Sequence, residues 1–127
     1  MKVTITSKIA VPTDGAGGLD GARSGHFGHA DSFTIVEIAG QHVVGDSVLP
    51  NPPHTQGGCG MTVAMLANAG VDTAIVVGVG GGPLAAMNRS GMTALFDAES
   101  PTPRAAVSAY LAGGLRPFGG DHVCSGH

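Results

Sequence analysis

Residues 73–87, with the sequence TAIVVGVGGGPLAAM, restrict the fold of this chain more than any other segment. Apolar residues at 74–77 predict a buried strand, and the pattern after the glycines predicts a helix that begins at Pro83. The loop between them contains Gly78, Gly80, Gly81 and Gly82. Glycines allow positive φ angles and let the backbone approach a ligand closely. The start of a helix offers free N–H groups that attract an anion. The segment therefore indicates an α/β fold with a candidate anion cradle, although a tight turn that binds nothing has the same pattern.

Length and composition fit one small domain. The chain has 127 residues, of which 43% are hydrophobic, but it has no Trp, one Tyr and four Phe, so its core depends on aliphatic side chains. The net charge of −3 and the scattered Lys and Arg residues argue against a nucleic-acid partner. The amino-terminal sequence lacks the apolar region of a signal peptide, and no segment is apolar enough to span a membrane. We therefore expect a cytoplasmic protein.

The predicted elements follow one another in the order β-β-β-α-β-α-β-α. Strands are predicted at 3–11, 32–39, 42–49, 74–77 and 92–96, and helices at 61–68, 83–89 and 103–112. The second and third strands form a hairpin around Gly40, whereas strands joined through helices should be parallel. These rules predict a single α/β domain over residues 1–115, with a mixed five-stranded sheet in the order 3-2-1-4-5 flanked by helices. Residues 116–127 are predicted to form a tail that contains Cys and His.

Two glycine-rich loops should meet at one edge of this sheet. Residues 12–31 form a long loop after the first strand, and loops of this length in compact domains are usually functional. Ligands of open α/β sheets bind at the carboxyl ends of strands where the winding direction reverses, here between the first and fourth strands. The 12–31 loop and the 78–83 loop should therefore converge, with Cys59 at a helix start nearby.

Several motifs occur along the chain in a familiar order: Ile9-Ala10-Val11-Pro12, Gly25-His26-Phe27-Gly28, Gly58-Cys59-Gly60, the glycine run 78–82 and a terminal Cys124-Ser125-Gly126-His127. In these motifs the chain resembles the dinitrogenase iron–molybdenum cofactor biosynthesis family, which includes NifX-like proteins and the orange-protein type. The resemblance implies a ribonuclease-H-like fold and a non-enzymatic carrier or scaffold for a metal–sulfur cluster. For the orange-protein type it implies an anionic molybdenum–copper–sulfide cluster held without cysteine ligation; other molybdenum- or iron–sulfur clusters and cofactor-assembly partners also fit.

Cys59 and His26 are the leading candidates for metal ligands. Cys59 lies between glycines at a predicted helix start, where the helix dipole favours the thiolate that binds soft metals. A free cysteine is also commonly a small buried hydrophobe. His26 lies in the long loop, where an imidazole can bind copper or iron or donate to a cluster sulfide, or simply order the loop.

The remaining candidates are weaker because they depend on location alone. Thr13, Ser24, Phe27 and Gly58 join the glycines of 78–82 as candidate cluster-binding residues. Further candidate metal ligands are His54, which precedes the Gly-Gly-Cys motif, and Cys124 and His127 in the Cys/His-containing tail. Arg23 is a candidate to offset cluster charge. Apolar side chains expected to exclude water from the site are Phe27, Met61, Val79 and Met87.

Three other functions were weighed against a cluster carrier. A metal-dependent nuclease needs clustered acidic residues near strand ends, and the first strand contains none, so we expect no nuclease activity. No Ser-His-Asp order with a nucleophile-elbow motif occurs either, and we expect a binding protein rather than an enzyme. A phosphate- or nucleotide-binding module could use the same loops, but the P-loop pattern with its lysine is absent. A protein that binds a partner during metallocofactor assembly, with the glycine loops as a docking surface, remains open.

Overall fold

The computed structural model describes residues 4–51 and 58–118 of the chain. In these ranges, three helices pack against one mixed sheet of six strands. The strands are β1 (Ser7–Thr13), β2 (Ser32–Ala39), β3 (His42–Pro50), β4 (Thr73–Val76), β5 (Thr93–Phe96) and β6 (Arg116–Pro117). The helices are α1 (Gly58–Asn68), α2 (Gly81–Arg89) and α3 (Pro103–Leu111). No helix in the described ranges is long and apolar enough to cross a membrane.

The strand order is β3-β2-β1-β4-β5-β6. β1 is antiparallel to β2, β2 is antiparallel to β3, and β4 runs parallel to both β1 and β5. The predicted mixed sheet, its hairpin and its order over the first five strands are confirmed. As a result, the carboxyl ends of β1, β4 and β5 lie along one edge of the sheet.

The predicted number of five strands is wrong because β6 extends the sheet beyond β5. Arg116 and Pro117 pair antiparallel with Phe96 and Leu95. Phe118, next along the chain, is buried, and its N–H donates to the Ala94 carbonyl at 2.7 Å. The first three residues of the expected tail thus pair with or pack against the sheet. A two-residue ladder is too short to show an alternating pattern in the sequence.

The limits of several elements differ from those predicted. β1 continues through Pro12 and Thr13, which pair with Phe33 and Ser32 of β2, rather than ending at residue 11. α1 begins at Gly58 instead of residue 61, and α2 begins at Gly81, two residues before Pro83. The glycines of the central segment therefore form the first turn of α2 as well as the loop before it.

The sheet has a separate hydrophobic core on each face. Successive strand residues point to opposite faces, so Ile9 and Val11 pack with Ala106 and Val107 of α3, and Ala10 lies on the other side. On that second face, α1 and α2 contribute buried residues that include Leu66 and Met87. These two layers of helices fix the sheet, and the edge formed by the strand ends carries the loops.

A buried ion pair joins the loop after β1 to the segment after β5. The Nη1 atom of Arg23 lies 3.7 Å from Oδ2 of Asp97, and the two side chains are only 5% and 6% exposed. Arg23 Nη1 also donates to the Ser100 carbonyl (3.1 Å), and Asp97 Oδ1 accepts from the N–H groups of Glu99 and Ser100 (2.9 and 3.2 Å). The charge of Arg23 is therefore paired with Asp97 inside the protein. Arg23 was a candidate to offset the charge of a cluster, but its guanidinium already has this buried counterion.

Asp97→Asn should lower the free energy of unfolding by about 3–5 kcal/mol, because it leaves the buried Arg23 charge without a counterion. Urea denaturation at pH 7 measures this loss. Asp20→Asn is the matched control, since Asp20 pairs with Arg104 at the surface (2.9 Å) and exposed pairs contribute little. Equal shifts of the urea midpoint in the two variants would contradict a special contribution of the buried pair.

The stability difference between the wild type and Asp97→Asn should also depend on pH. Burial raises the pKa of Asp97, but hydrogen bonds from Ser100 and Glu99 and the charge of Arg23 together hold it below its ordinary value. A lowered pKa contributes stability above the unfolded-state value, which is about 3.9 for Asp, and loses it as the pH falls through the folded-state value. The stability advantage of the wild type over Asp97→Asn should therefore shrink below about pH 4.

Thr102 caps α3, and its replacement should lower the stability of the fold. The Thr102 side chain accepts a hydrogen bond from the Ala105 N–H (3.2 Å), and Pro103 occupies the first helical position. Thr102→Ala should lower the free energy of unfolding by about 1 kcal/mol. Thermal or urea denaturation checks this, and Thr102→Ser, which keeps the accepting oxygen, should retain most of the stability.

Candidate functional site

The predicted convergence of two glycine-rich loops is confirmed. After β1 the chain turns back on itself, so that Asp14 N–H donates to Ala22 O and Ser24 N–H donates to Pro12 O, both at 2.9 Å. The loop then crosses the sheet edge, where the Phe27 N–H donates to the carbonyl of Gly78 at 3.1 Å. This bond places the long loop directly beside the segment that leads into α2.

Residues 24–30, called the His26 turn below, have an ordered backbone and exposed imidazoles. Ser24 is buried, and its hydroxyl bonds both the N–H and the carbonyl of His26 (3.2 and 3.3 Å). Phe27 is buried against Phe33, with ring centroids 5.2 Å apart. The side chains of His26 and His29 are exposed. The turn therefore presents His26 at the surface from a backbone fixed on both sides.

The start of α2 is an open cradle of backbone N–H groups. Gly80 is the N-cap residue and has no side chain to bond the first N–H groups of the helix, and Pro83 in the first turn has no N–H. A Cβ atom added at Gly81 or Gly82 would meet nothing within 4 Å. Gly81 and Gly82 are also exposed, so an anionic ligand can approach the backbone of this first turn from solvent.

These glycines are not needed for left-handed backbone. Among the described residues, positive φ angles occur at other glycines, including Gly17 and Gly70, and Gly80 has φ −71°. The conformational reason predicted for the 78–82 glycines is therefore wrong. Gly17 shows the contrast, because it has φ +73° and an added Cβ would lie 2.8 Å from the hydroxyls of Thr13 and Ser32. At Gly81 and Gly82, the lack of a side chain leaves room beside the backbone for a ligand. It does not relieve backbone strain, because neither residue has a positive φ angle.

Thr13 lies in a buried network of hydroxyl groups beneath the long loop. Its Oγ1 is 2.7 Å from the hydroxyl of Ser32 and 3.2 Å from that of Thr34, and all three residues are buried. The Thr34 hydroxyl accepts from the Gly18 N–H (2.9 Å), and the Ser32 hydroxyl donates to the Gly15 carbonyl (3.1 Å). The Thr13 hydroxyl thus holds the loop from within the protein.

The apolar residues nominated around the site lie in two different environments. Phe27, Val79 and Met87 are at most 2% exposed and form part of the core beneath the loops. Met61, in the second turn of α1, is 59% exposed. The prediction that Met61 excludes water is therefore wrong, because its side chain faces solvent.

Asn51 is the residue near the site that the sequence reasoning missed. It follows β3, and its side chain bonds the Gly28 and Ala30 carbonyls of the His26 turn and the hydroxyl of Thr62 in α1. Its position before two prolines suggests only an extended linker. An amide side chain at the end of a strand, where backbone groups need partners, is the one signal that could have found it.

Other nominated residues lie wholly or partly outside the described part of the chain. His54, Cys124 and His127 fall in ranges that the structure does not describe, as does His122 of the tail. Gly58 and Cys59 open the first turn of α1, and only their backbone is described. Within the described residues, no three His, Cys, Asp or Glu side chains come together to hold a metal ion.

A cavity of about 510 Å³ lies at the opposite edge of the sheet, beside Ser7, Asp72 and Thr73. The Asp72 carboxylate there already accepts hydrogen bonds from the hydroxyls of Ser7 and Thr73 (both 2.7 Å) and from the Lys8 N–H (3.0 Å). Those donors satisfy the carboxylate within the fold. We therefore place the candidate site at the carboxyl edge, where the helix start is open.

Solved structures of other proteins have the same fold as this chain. The chain is 26% identical to the orange protein from Desulfovibrio gigas, solved in its apo form, over 94% of this chain and 98% of that one, with a TM-score of 0.78. Two further solved structures share the fold. A NifB-like protein from Thermotoga is 23% identical over 88% of this chain and 93% of that one, with a TM-score of 0.73. A dinitrogenase-type protein from Methanocaldococcus jannaschii is 19% identical over 91% of this chain and 97% of that one, with a TM-score of 0.70. Among curated proteins, none matches the chain.

The family assignment comes from the sequence as a whole. The model of the family described as dinitrogenase iron–molybdenum cofactor matches residues 7–113, which include β1, the His26 turn, α1 and the glycine start of α2. The expected resemblance is thereby confirmed over most of the chain. This protein belongs to the dinitrogenase iron–molybdenum cofactor family.

Proposed function

We propose that this protein is a non-enzymatic carrier or scaffold that binds an anionic, molybdenum-containing metal–sulfur cluster as its cargo. Family membership supports a role in iron–molybdenum cofactor biosynthesis or binding. The chain is similar to the orange protein from Desulfovibrio gigas, and among the clusters considered the sequence resemblance to the orange-protein type implies a molybdenum–copper–sulfide cluster. Partners in metallocofactor assembly would supply or receive the cluster.

The glycine start of α2 is the observation that carries this proposal. Gly81 and Gly82 lie in the exposed first turn of a nine-residue helix, at its positive end, where backbone N–H groups have no partner within the helix. Backbone N–H groups are good donors to the sulfides of an anionic cluster, and no rearrangement is needed for them to act. The net charge of the chain is −3, so these local donors, rather than the overall field, must attract the anion.

The surrounding residues can complete the site from two sides. The His26 turn lies next to Gly78 and carries an exposed imidazole, which can donate to a sulfide or bind copper. Cys59 lies in the first turn of α1, where a helix start favours the thiolate. The buried side chains of Phe27, Val79 and Met87 lower the local dielectric beneath the loops, which strengthens the hydrogen bonds that the N–H groups make.

Gly80→Asp is the variant that tests the cradle. Its carboxylate would cap the free N–H of Gly82 and repel an anion, with a repulsion of roughly 1–4 kcal/mol, which weakens the affinity about 5- to 1000-fold. The fold should be kept, because the φ of −71° suits any residue and a Cβ there meets only Pro83 Cδ at 3.8 Å. Asp is also a favourable N-cap residue, so the melting temperature should be unchanged or higher.

Molybdenum retained after anaerobic loading with tetrathiomolybdate and copper, followed by gel filtration, measures this effect. Gly80→Ser is the control, because a hydroxyl also caps the helix but carries no charge, and it should lose less affinity than Gly80→Asp. Full retention of molybdenum by Gly80→Asp would contradict the cradle. Release of bound cluster by millimolar inorganic phosphate would favour the alternative of a general phosphate-binding module.

A further inference from the structure

We propose that Asn51 is a positioning residue that holds the His26 turn against α1 and thereby sets the spacing between the two sides of the cluster site. The link to cluster binding rests on the function proposed above. The structural part, that one side chain fixes the turn relative to the helix, stands on the contacts of Asn51 alone.

The Asn51 side chain uses both ends of its amide. Its Nδ2 donates to the carbonyls of Ala30 (2.7 Å) and Gly28 (3.2 Å), and its Oδ1 accepts from the Thr62 hydroxyl at 3.4 Å. The orientation of the amide follows from these partners, because the opposite orientation would set its oxygen against two carbonyl oxygens. In addition, the backbone N–H of Asn51 donates to the carbonyl of Asp31 (3.1 Å).

These contacts join parts of the chain that are far apart in sequence. Gly28 and Ala30 close the turn that presents His26, and Thr62 lies in α1 three positions after Cys59. The other anchor of the turn, the bond from the Phe27 N–H to Gly78, faces the start of α2. The His26 turn is therefore held between the starts of both helices, by Gly78 on one side and Asn51 on the other.

The chemistry at this position requires an asparagine. Two donors are needed for the carbonyls and one acceptor for the hydroxyl, and an amide of this length supplies both. Aspartate has the same shape but offers acceptors where donors are needed. Residues that orient the groups around a metal site typically change its affinity by roughly 10- to 100-fold when they are replaced.

Two variants test the proposal, with Thr102→Ala as a control that loses stability without touching the turn. Asn51→Ala removes the whole amide, and Asn51→Asp keeps its shape and acceptor but loses the donors. In the apo protein, the Phe27 amide should exchange its hydrogen about tenfold faster in both Asn51 variants than in Thr102→Ala. After loading with tetrathiomolybdate and copper, both should bind the cluster roughly 10- to 100-fold more weakly than the wild type.

Each outcome decides the proposal. Exchange at Phe27 no faster than in Thr102→Ala would overturn the positioning role, as would wild-type behaviour of Asn51→Asp. Faster exchange with wild-type cluster affinity would overturn the link to the site and leave the proposed function intact. If the wild type itself binds no molybdenum or copper, the proposed function fails, and the exchange measurement alone decides whether Asn51 positions the turn. If Asn51→Ala does not fold, Asn51→Asp carries the same comparison.

Discussion

The hydrogen bond between the Phe27 N–H and the Gly78 carbonyl is the contact on which the geometry of the carboxyl edge depends. The loop that ends β1 is eighteen residues long, from Asp14 to Asp31, and without an anchor it would have many conformations. Burial of Phe27 against Phe33 adds a hydrophobic anchor at the same point. Together the hydrogen bond and the ring contact bring the His26 turn to the start of α2. Neither the turn nor the start of α2 has a local feature that would bring them together by itself.

The rest of the loop is fixed by interactions on the other face of the sheet. The hydroxyls of Thr13, Ser32 and Thr34 hold its first half, and the buried pair of Arg23 and Asp97 ties its second half to the segment after β5. These buried polar groups leave the exposed edge with a fixed backbone. A site that binds an anion through N–H groups needs such a backbone, because donors that are already in place need no ordering when the ligand binds.

Much of the fold follows from local patterns in the sequence. The strand predicted at 32–39 has the bounds of β2, and the helix predicted at 103–112 differs from α3 by one residue at its end. β6 was missed because two residues carry no periodic signal. For the glycines before α2, the positive φ angles predicted from the sequence are absent, whereas Gly81 and Gly82 have the open surroundings that a close approach of a ligand needs.

The candidate site was less predictable, because its contacts span long distances in the chain. The convergence of the loops followed from topology, but Asn51 bonds to residues more than ten positions away, and its neighbours in sequence give no sign of this. Arg23 was nominated for its charge, yet the sequence does not reveal that Asp97, 74 positions later, pairs with it. Thr13 was nominated for its location, and its hydroxyl lies inside the loop network.

The most direct measurement of the central claim is the metal content and visible spectrum of the protein purified without oxygen, before and after incubation with tetrathiomolybdate and copper. A cluster carrier should form a coloured species with a fixed ratio of molybdenum and copper to protein, and this species should stay with the protein through gel filtration. No uptake of molybdenum, copper or iron under any loading condition would contradict a cluster carrier and would favour binding of a partner protein or a small anion.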